Sequence, residues 1–181
     1  MRRVMVIDTQ RCVGCEACVV ACKTENAVPD GKYRDWVVQE TSGELPTLSL
    51  LIQSQRCNHC AQAPCVSNCP TGASYYRHDG TAQIDRDLCT GCRACMASCP
   101  YDARYVHPEG FVDKCTLCVH RQDVGKPTAC EEVCPTSAIV TGDADDPRSP
   151  VSRLLGRSDL TVISPEAGTK PNVYYLNGGR P

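Results

Sequence analysis

Sixteen of the chain's 181 residues are cysteine, and they stand in four groups of four. The first group, CVGCEACVVAC, holds Cys12, Cys15, Cys18 and Cys22. The second, CNHCAQAPCVSNC, holds Cys57, Cys60, Cys65 and Cys69, and the third, CTGCRACMASC, holds Cys89, Cys92, Cys95 and Cys99. The fourth, CTLCVHRQDVGKPTACEEVC, is looser and holds Cys115, Cys118, Cys130 and Cys134. Hydrophobic residues total only 41% with cysteine included, and Phe and Trp occur once each, so an apolar core alone would be thin. The fold therefore depends on what the four groups do.

The first and third groups share the spacing x2, x2, x3. This is the bacterial ferredoxin run for a 4Fe–4S cluster, in which three close thiolates grip one cube and the fourth ligates its neighbour. Proline follows the fourth cysteine in three groups, as Pro70, Pro100 and Pro135, whereas Lys23 takes that place in the first. The third and fourth cysteines stand at i and i+4, which on a helix brings their Cβ atoms to about 5–6 Å. A short helix can then lie between two cubes and give a ligand to each. Two other uses of cysteine compete. Disulfides among three cysteines within seven residues cannot easily meet the separations a bridge needs. Structural zinc favours paired C-x2-C knuckles, and the fourth group, with its x11 gap, is the one most open to that reading.

An internal repeat indicates which groups belong together. VIDTQRC precedes the first group and QIDRDLC the third, so both read Ile-Asp, three residues, Cys. CPTGAS follows the second group and CPTSAI the fourth. The second and third groups supply a complete unit in order, CPTGASYYRHDGTAQIDRDLC, with Asp79-Gly80 as its hairpin turn. The first group lacks a preceding CPT, and the fourth lacks a following Ile-Asp strand. Each has what the other lacks, so the two ends of the chain are expected to close on each other. With the fourth cysteine crossing over in each pair, cluster A takes Cys12, Cys15, Cys18 and Cys134. Cluster B takes Cys115, Cys118, Cys130 and Cys22. Cluster C takes Cys57, Cys60, Cys65 and Cys99, and cluster D takes Cys89, Cys92, Cys95 and Cys69. The expected fold is α+β: two interleaved bacterial-ferredoxin-like lobes with two 4Fe–4S clusters each. Residues 1–23 and 113–140 form the first lobe and 57–112 the second. Residues 24–56 form a β-hairpin insert and 141–181 an irregular C-terminal extension.

The segments between the groups fit this plan. WVVQETSGELPTLSLLIQ reads as two strands round a turn. The x11 spacer reads as a short helix ending at Gly125, with Pro127 beyond it. SPVSRLLG is a candidate helix, and PNVYYLNGGRP a strand followed by a loose end. His59 and His120 lie beside ligands, but Rieske ligation needs two histidines on one iron and no cluster here is short of cysteines; a hydrogen bond to a cluster sulfur is the role open to them. Lys23, Arg93 and Lys114 also adjoin ligands, where a solvated charge is the ordinary reading. The formal net charge is −2 with no basic block, which argues against nucleic-acid binding. Four oxidised thiolate-bound clusters add about −8, giving roughly −10 for the loaded chain. The longest apolar runs, such as LSLLI, are too short to cross a bilayer. Arg2 and Arg3 are not followed by an apolar stretch, so no signal peptide is expected. Thiolate ligation leaves no iron open to substrate, and there is no P-loop, nucleophile elbow or dinucleotide fingerprint. No catalytic residue is therefore assigned, and the chemistry left is one-electron transfer.

The order of the groups, the x11 gap and the stretch CPYDARYVHPEGFVDKCTLCVHR resemble the four-cluster iron–sulfur subunits of the molybdopterin oxidoreductase family. So do GDADDPRSPVS and PEAGTKPNVYYLN, and the likeness covers nearly the whole chain. The short link between the third and fourth groups is most similar to polysulfide, thiosulfate or sulfur reductase beta subunits. The resemblance implies a relay between a molybdopterin catalytic subunit, with molybdenum or tungsten, and a multi-helix quinone-reactive membrane subunit. It implies that the first lobe faces the catalytic subunit and the second the membrane. It also implies export bound to a partner, and so the periplasmic or outer face of the membrane, with the cytoplasmic face as the alternative. The rival readings are a polyferredoxin-like subunit of a formate dehydrogenase, hydrogenase, arsenate or dimethyl sulfoxide reductase complex, a soluble carrier, and a zinc-structured interaction module.

Overall fold

The computed structural model describes residues 1–177. Strand β1 (Arg3–Asp8) leads through the first cysteine loop into helix α1 (Ala17–Glu25). A long hairpin follows, β2 (Asp35–Ser42) and β3 (Ser49–Arg56), then helix α2 (Pro64–Ser67). A short hairpin, β4 (Ser74–Tyr76) and β5 (Ala82–Ile84), leads to helix α3 (Ala94–Ala97). The pair β6 (Tyr105–Val106) and β7 (Val112–Asp113) precedes helices α4 (Val119–Gln122) and α5 (Ala129–Glu132). Strand β8 (Ile139–Asp143), helix α6 (Pro150–Leu155), a 3-10 turn at Pro165–Ala167 and strand β9 (Val173–Leu176) follow. The last four residues of the expected C-terminal extension, 178–181, lie outside the described residues.

β1 is apolar at four consecutive positions, Val4 to Ile7, because both of its faces are covered. Met5 and Ile7 face one core with Cys18, Val19, Leu117, Cys130, Ile139, Val173 and Tyr175. Val4 and Val6 face the other way, against Val151 and Leu176. Fully burying such a side chain contributes roughly 1.5–3 kcal/mol relative to leaving it in water. β1 is the centre of a three-stranded sheet of order β8-β1-β9. It pairs antiparallel with β8, Ile7 opposite Ile139, and parallel with β9, Ile7 opposite Tyr175. The first strand of the chain is thus held between two late ones. The C-terminal extension is more ordered than its composition suggests: β9 is an inner part of this core, and α6, started by Pro150 and stopped at Gly156, covers the far face of β1.

A third core gathers Cys60, Ala63, Cys65, Cys95 and Val112, and a fourth, smaller one joins Cys57, Ala103 and Cys115. Helix α1 packs against α5, and α2 packs against α3. The expected hairpin turn after β4 forms, with Gly80 at φ +78° and its N–H on the Arg77 carbonyl at 3.0 Å. This turn is also a clamp. Arg3 of β1 and Arg77 both form ion pairs with Asp79, which is fully buried, and with Asp123 just past α4. The β2–β3 hairpin is paired along its length, and residues 41–50 stand exposed at its far end.

Gly142 in β8 marks where α6 meets the sheet. A Cβ there would overlap the Ser149 side chain and sit 3.0 Å from Cγ2 of the fully buried Val151. Gly142→Ala is therefore expected to cost about 1–3 kcal/mol, read as a lower midpoint of anaerobic thermal unfolding with cofactor content unchanged.

Candidate metal centres

The cysteine loops are wound by residues with left-handed backbone. In the first group Gly14 (φ +70°) and Glu16 (φ +58°) lie on either side of Cys15; in the third, Gly91 (φ +67°) and Arg93 (φ +63°) lie on either side of Cys92. The fourth group uses Leu117 and Cys118 itself, and the second uses His59. Gly91 is forced twice over: besides its φ, any Cβ would run into the carbonyl oxygen of Gly110. Each loop delivers its third cysteine onto a helix: Cys18 on α1, Cys65 on α2, Cys95 on α3 and Cys130 on α5. Cys22 remains on α1 one turn further along, whereas Cys69, Cys99 and Cys134 lie just beyond one-turn helices.

The CPT-x-A repeat has a structural meaning. The Ser74 N–H donates to Cys69 Sγ and the Ala138 N–H to Cys134 Sγ, both at 3.3 Å, while Thr71 and Thr136 place hydroxyls 3.7 and 3.6 Å from the same sulfurs. Burial pushes both thiols up, but these hydrogen bonds outweigh it and hold each below the ordinary cysteine range. At Cys60, Cys115 and Cys22 burial wins. It pushes the Cys60 and Cys115 thiols up to about 12, and Cys22 higher still. Such sulfurs are poor thiolates unless a metal supplies the compensating charge.

All sixteen cysteines are free thiols, and the structure sorts them in space. Cys12, Cys15 and Cys18 line one cavity together with Cys134. Cys22 lines another with Cys115, Cys118 and Cys130. Cys57, Cys60, Cys65 and Cys99 lie within electrostatic range of one another. Cys95 and Cys89 join the core that holds Cys60 and Cys65, and Cys69 follows α2, which packs on α3. Cys15 and Cys92 are the exposed thiols. Among the described residues no three Cys, His, Asp or Glu side chains converge tightly enough to hold a single metal ion.

The surroundings fit a bound anionic cluster. Besides Arg34, 4% exposed and paired with Asp113, three cations are almost wholly buried among the thiols: Arg56 at 1% exposed, Arg104 at 5% and Lys114 at 1%. Arg56 Nη1 donates to Cys130 Sγ at 2.9 Å, and Arg104 Nη2 donates to Cys65 Sγ at 2.8 Å. Arg56 Nε, Arg104 Nε and Arg104 Nη1 are buried with no acceptor in the protein. Such donors ask for an acceptor that the side chains do not supply. Backbone N–H groups of Val112 and Leu117 reach Cys89 and Cys115 Sγ, each at 3.4 Å.

The other basic residues divide. Lys114 is not the solvated charge its position beside Cys115 suggests: its ammonium donates to the Ala82 and Cys115 carbonyls inside the protein. Lys23 bonds the carbonyls of Pro29 and Lys32, and Arg93 is exposed. His120 pairs with Glu25 at the surface, 2.8 Å away. His59 is fully buried, held neutral by burial and by the cations Lys114 and Arg104, and neither ring nitrogen has a partner. Sequence reading missed Arg56 and Arg104. Arg11 precedes Cys12 just as Arg56 precedes Cys57, yet Arg11 is exposed, so adjacency to a ligand does not reveal a buried cation.

Two family models, each described as a 4Fe-4S dicluster domain, match residues 48–144 and 11–74. A polysulfide reductase chain of Wolinella succinogenes is 42% identical over 97% of this chain and 94% of its own length. A tetrathionate reductase subunit of Salmonella typhimurium is 41% identical over 97% of this chain and 72% of its own length. The arsenate respiratory reductase iron-sulfur subunit of Shewanella sp. is 36% identical over 97% of this chain and 96% of its own length. Matched by dicluster models and alike to these proteins over nearly its whole length, the chain belongs to the 4Fe-4S dicluster family of reductase iron–sulfur subunits.

Proposed function

We propose that the chain holds four 4Fe–4S clusters in a row, A to D, and relays single electrons between two partner subunits. Site A takes Cys12, Cys15, Cys18 and Cys134, and site B takes Cys22, Cys115, Cys118 and Cys130. Site C takes Cys57, Cys60, Cys65 and Cys99, and site D takes Cys69, Cys89, Cys92 and Cys95. When bound, each cluster supplies one-electron oxidation and reduction; the protein supplies spacing, charge balance and exclusion of water.

The observation that carries this reading is the pattern of burial. All four thiols assigned to B are buried, as are three of the four assigned to C, while A and D each have an exposed thiol, Cys15 and Cys92. Cys57 and Cys115 share a small core, which supports adjacency of B and C. The cavity common to Cys12, Cys15, Cys18 and Cys134 supports crossover in the lobe formed by the chain's two ends. The cavity common to Cys22 and the fourth group supports its reciprocal. A row with covered middle and open ends suits a bridge between two docked partners better than a diffusing carrier, which needs one exposed site.

By likeness to the reductase subunits named above, one partner is a molybdopterin catalytic subunit acting on a sulfur-compound or related oxidant. The other is a quinone-reactive membrane subunit. Among the described residues no helix is long and apolar enough to cross a membrane. By the same likeness, attachment to the membrane runs through that partner. The outer face, reached by co-export, is the side this reading favours. A polyferredoxin-like subunit of a formate dehydrogenase or hydrogenase is the second reading, and identification of the copurifying subunits separates the two.

The native complex purified anaerobically is expected to carry about sixteen irons on this chain; zinc in place of iron with no visible absorbance would overturn the reading. Cys134→Ser tests the crossover. The EPR signal of the site formed by Cys12, Cys15 and Cys18 should change; a change confined to the site of Cys115 and Cys118 would refute the assignment.

A further inference from the structure

The two lobes draw a buried guanidinium from unrelated segments of the chain and set it in corresponding places. Arg56 comes from the end of β3, in the hairpin insert, and Arg104 from the link after the third cysteine group. Arg56 donates to Cys130 Sγ at 2.9 Å and to the Ser54 hydroxyl, which itself lies 3.5 Å from Cys18 Sγ. Arg104 donates to Cys65 Sγ at 2.8 Å and to the Ser74 hydroxyl at 3.0 Å, and Cys95 is also among its thiol partners. All four sulfurs are the third cysteine of their group. Each guanidinium therefore stands between the two sites of its lobe, bonded directly to the inner one. No repeat in the sequence marks the two arginines as equivalent.

A guanidinium does not give up its proton in a protein, so its charge is fixed. Reduction adds one electron and one negative charge to a cluster. A fixed cation at hydrogen-bond distance from a ligand sulfur, in a site of low dielectric, favours that reduced state. No proton needs to accompany the electron. Lys114 lies at the junction, with Cys57, Cys115 and Cys65 around it, and adds positive charge there. Resting on the four-site reading above, we propose that Arg56 and Arg104 are positioning residues that set the potentials of B and C. They raise the inner sites above the outer ones, so that electrons reside in the covered middle of the row rather than at its exposed ends. The two are not equal. Buried Asp35 lies 3.7 Å from Arg56 Nη1 and offsets part of its charge, whereas among the described residues no acidic group forms an ion pair with Arg104. Removing Arg104 should therefore have the larger effect.

The test is an anaerobic redox titration of the native complex followed by EPR, with Arg56→Gln and Arg104→Gln compared with the unaltered chain. Each variant should lower the midpoint of one inner signal, a different one in each case, by about tenfold in the reduction equilibrium, or ~59 mV for one electron. The Arg104→Gln shift should exceed the Arg56→Gln shift, and Arg56→Lys and Arg104→Lys should shift less than the glutamines. Full iron loading with unmoved midpoints overturns the proposal while leaving the four-site reading intact. Fewer than four signals in the unaltered complex overturns that reading instead. If a glutamine variant loses iron, Ser54→Ala and Ser74→Ala, which free the guanidinium from its hydroxyl anchor, supply the measurement. Unmoved midpoints in those loaded variants overturn the proposal, and smaller downward shifts support it.

Discussion

Everything in this chain answers to the cost of placing ionised sulfur where water is excluded. Burial alone drives Cys60, Cys115 and Cys22 towards the neutral thiol. The thiolates that a cluster requires become favourable only with metal charge beside them, and then the assembly carries excess negative charge that has to be met inside the protein. Backbone N–H groups meet part of it at Cys69, Cys89, Cys115 and Cys134. Arg56, Arg104 and Lys114 meet more of it. A buried cation is costly without a counter-charge, and buried thiolates are costly without a cation. The two liabilities cancel, and neither is tolerable alone. Folding and loading are coupled for this reason, as in other small metal proteins.

The same constraint explains the additions to the basic repeat. A two-cluster unit needs little more than two cysteine loops, two helical turns and a hairpin, which is what residues 57–99 provide. The hairpin β2–β3 brings Arg56, Asp35 and Ser54 into the space beside α1 and α5. The link after the third group brings Arg104 and Lys114. The tail brings Tyr175, fully buried, whose hydroxyl donates to the Ser54 carbonyl at 3.2 Å. Ser54 is thus fixed by its own strand and by the tail while its hydroxyl meets Arg56. The segments outside the repeat supply charge and hold it still.

The cysteine spacing made the kind of site legible, and the incomplete Ile-Asp and CPT fragments made it legible that the ends of the chain meet. β1, β8 and the short β4–β5 hairpin follow from those fragments directly. The strand β9 could be seen as a strand from VYYL but not as the parallel neighbour of β1, because nothing local encodes a pairing across 168 residues of chain between Ile7 and Tyr175. The buried cations were the least legible. Arg11, Arg56 and Lys114 all stand immediately before a cysteine, and only the latter two are buried. What separates them is which side of a cysteine loop the rest of the fold covers, a property of packing that no window of sequence contains.

The distribution of charge also bears on direction. A row of sites with equal potentials would let an electron settle at either exposed end, where water and small oxidants reach it. On the four-site reading, the fixed positive charge of Arg56 and Arg104, bonded to Cys130 and Cys65, lies with the covered pair. Cys15 and Cys92, the exposed thiols, have no such cation among their hydrogen-bond partners in the described residues. Arg11 and Arg93 stand close to them in sequence but are exposed, where solvent screens a charge strongly. On the four-site reading, the interior is a place to hold an electron, and each end is a place to pass it on. The two inner sites differ, since Asp35 offsets part of the Arg56 charge and no acidic group among the described residues pairs with Arg104, but both lie between exposed ends; direction is therefore set by whichever partner presents the stronger oxidant.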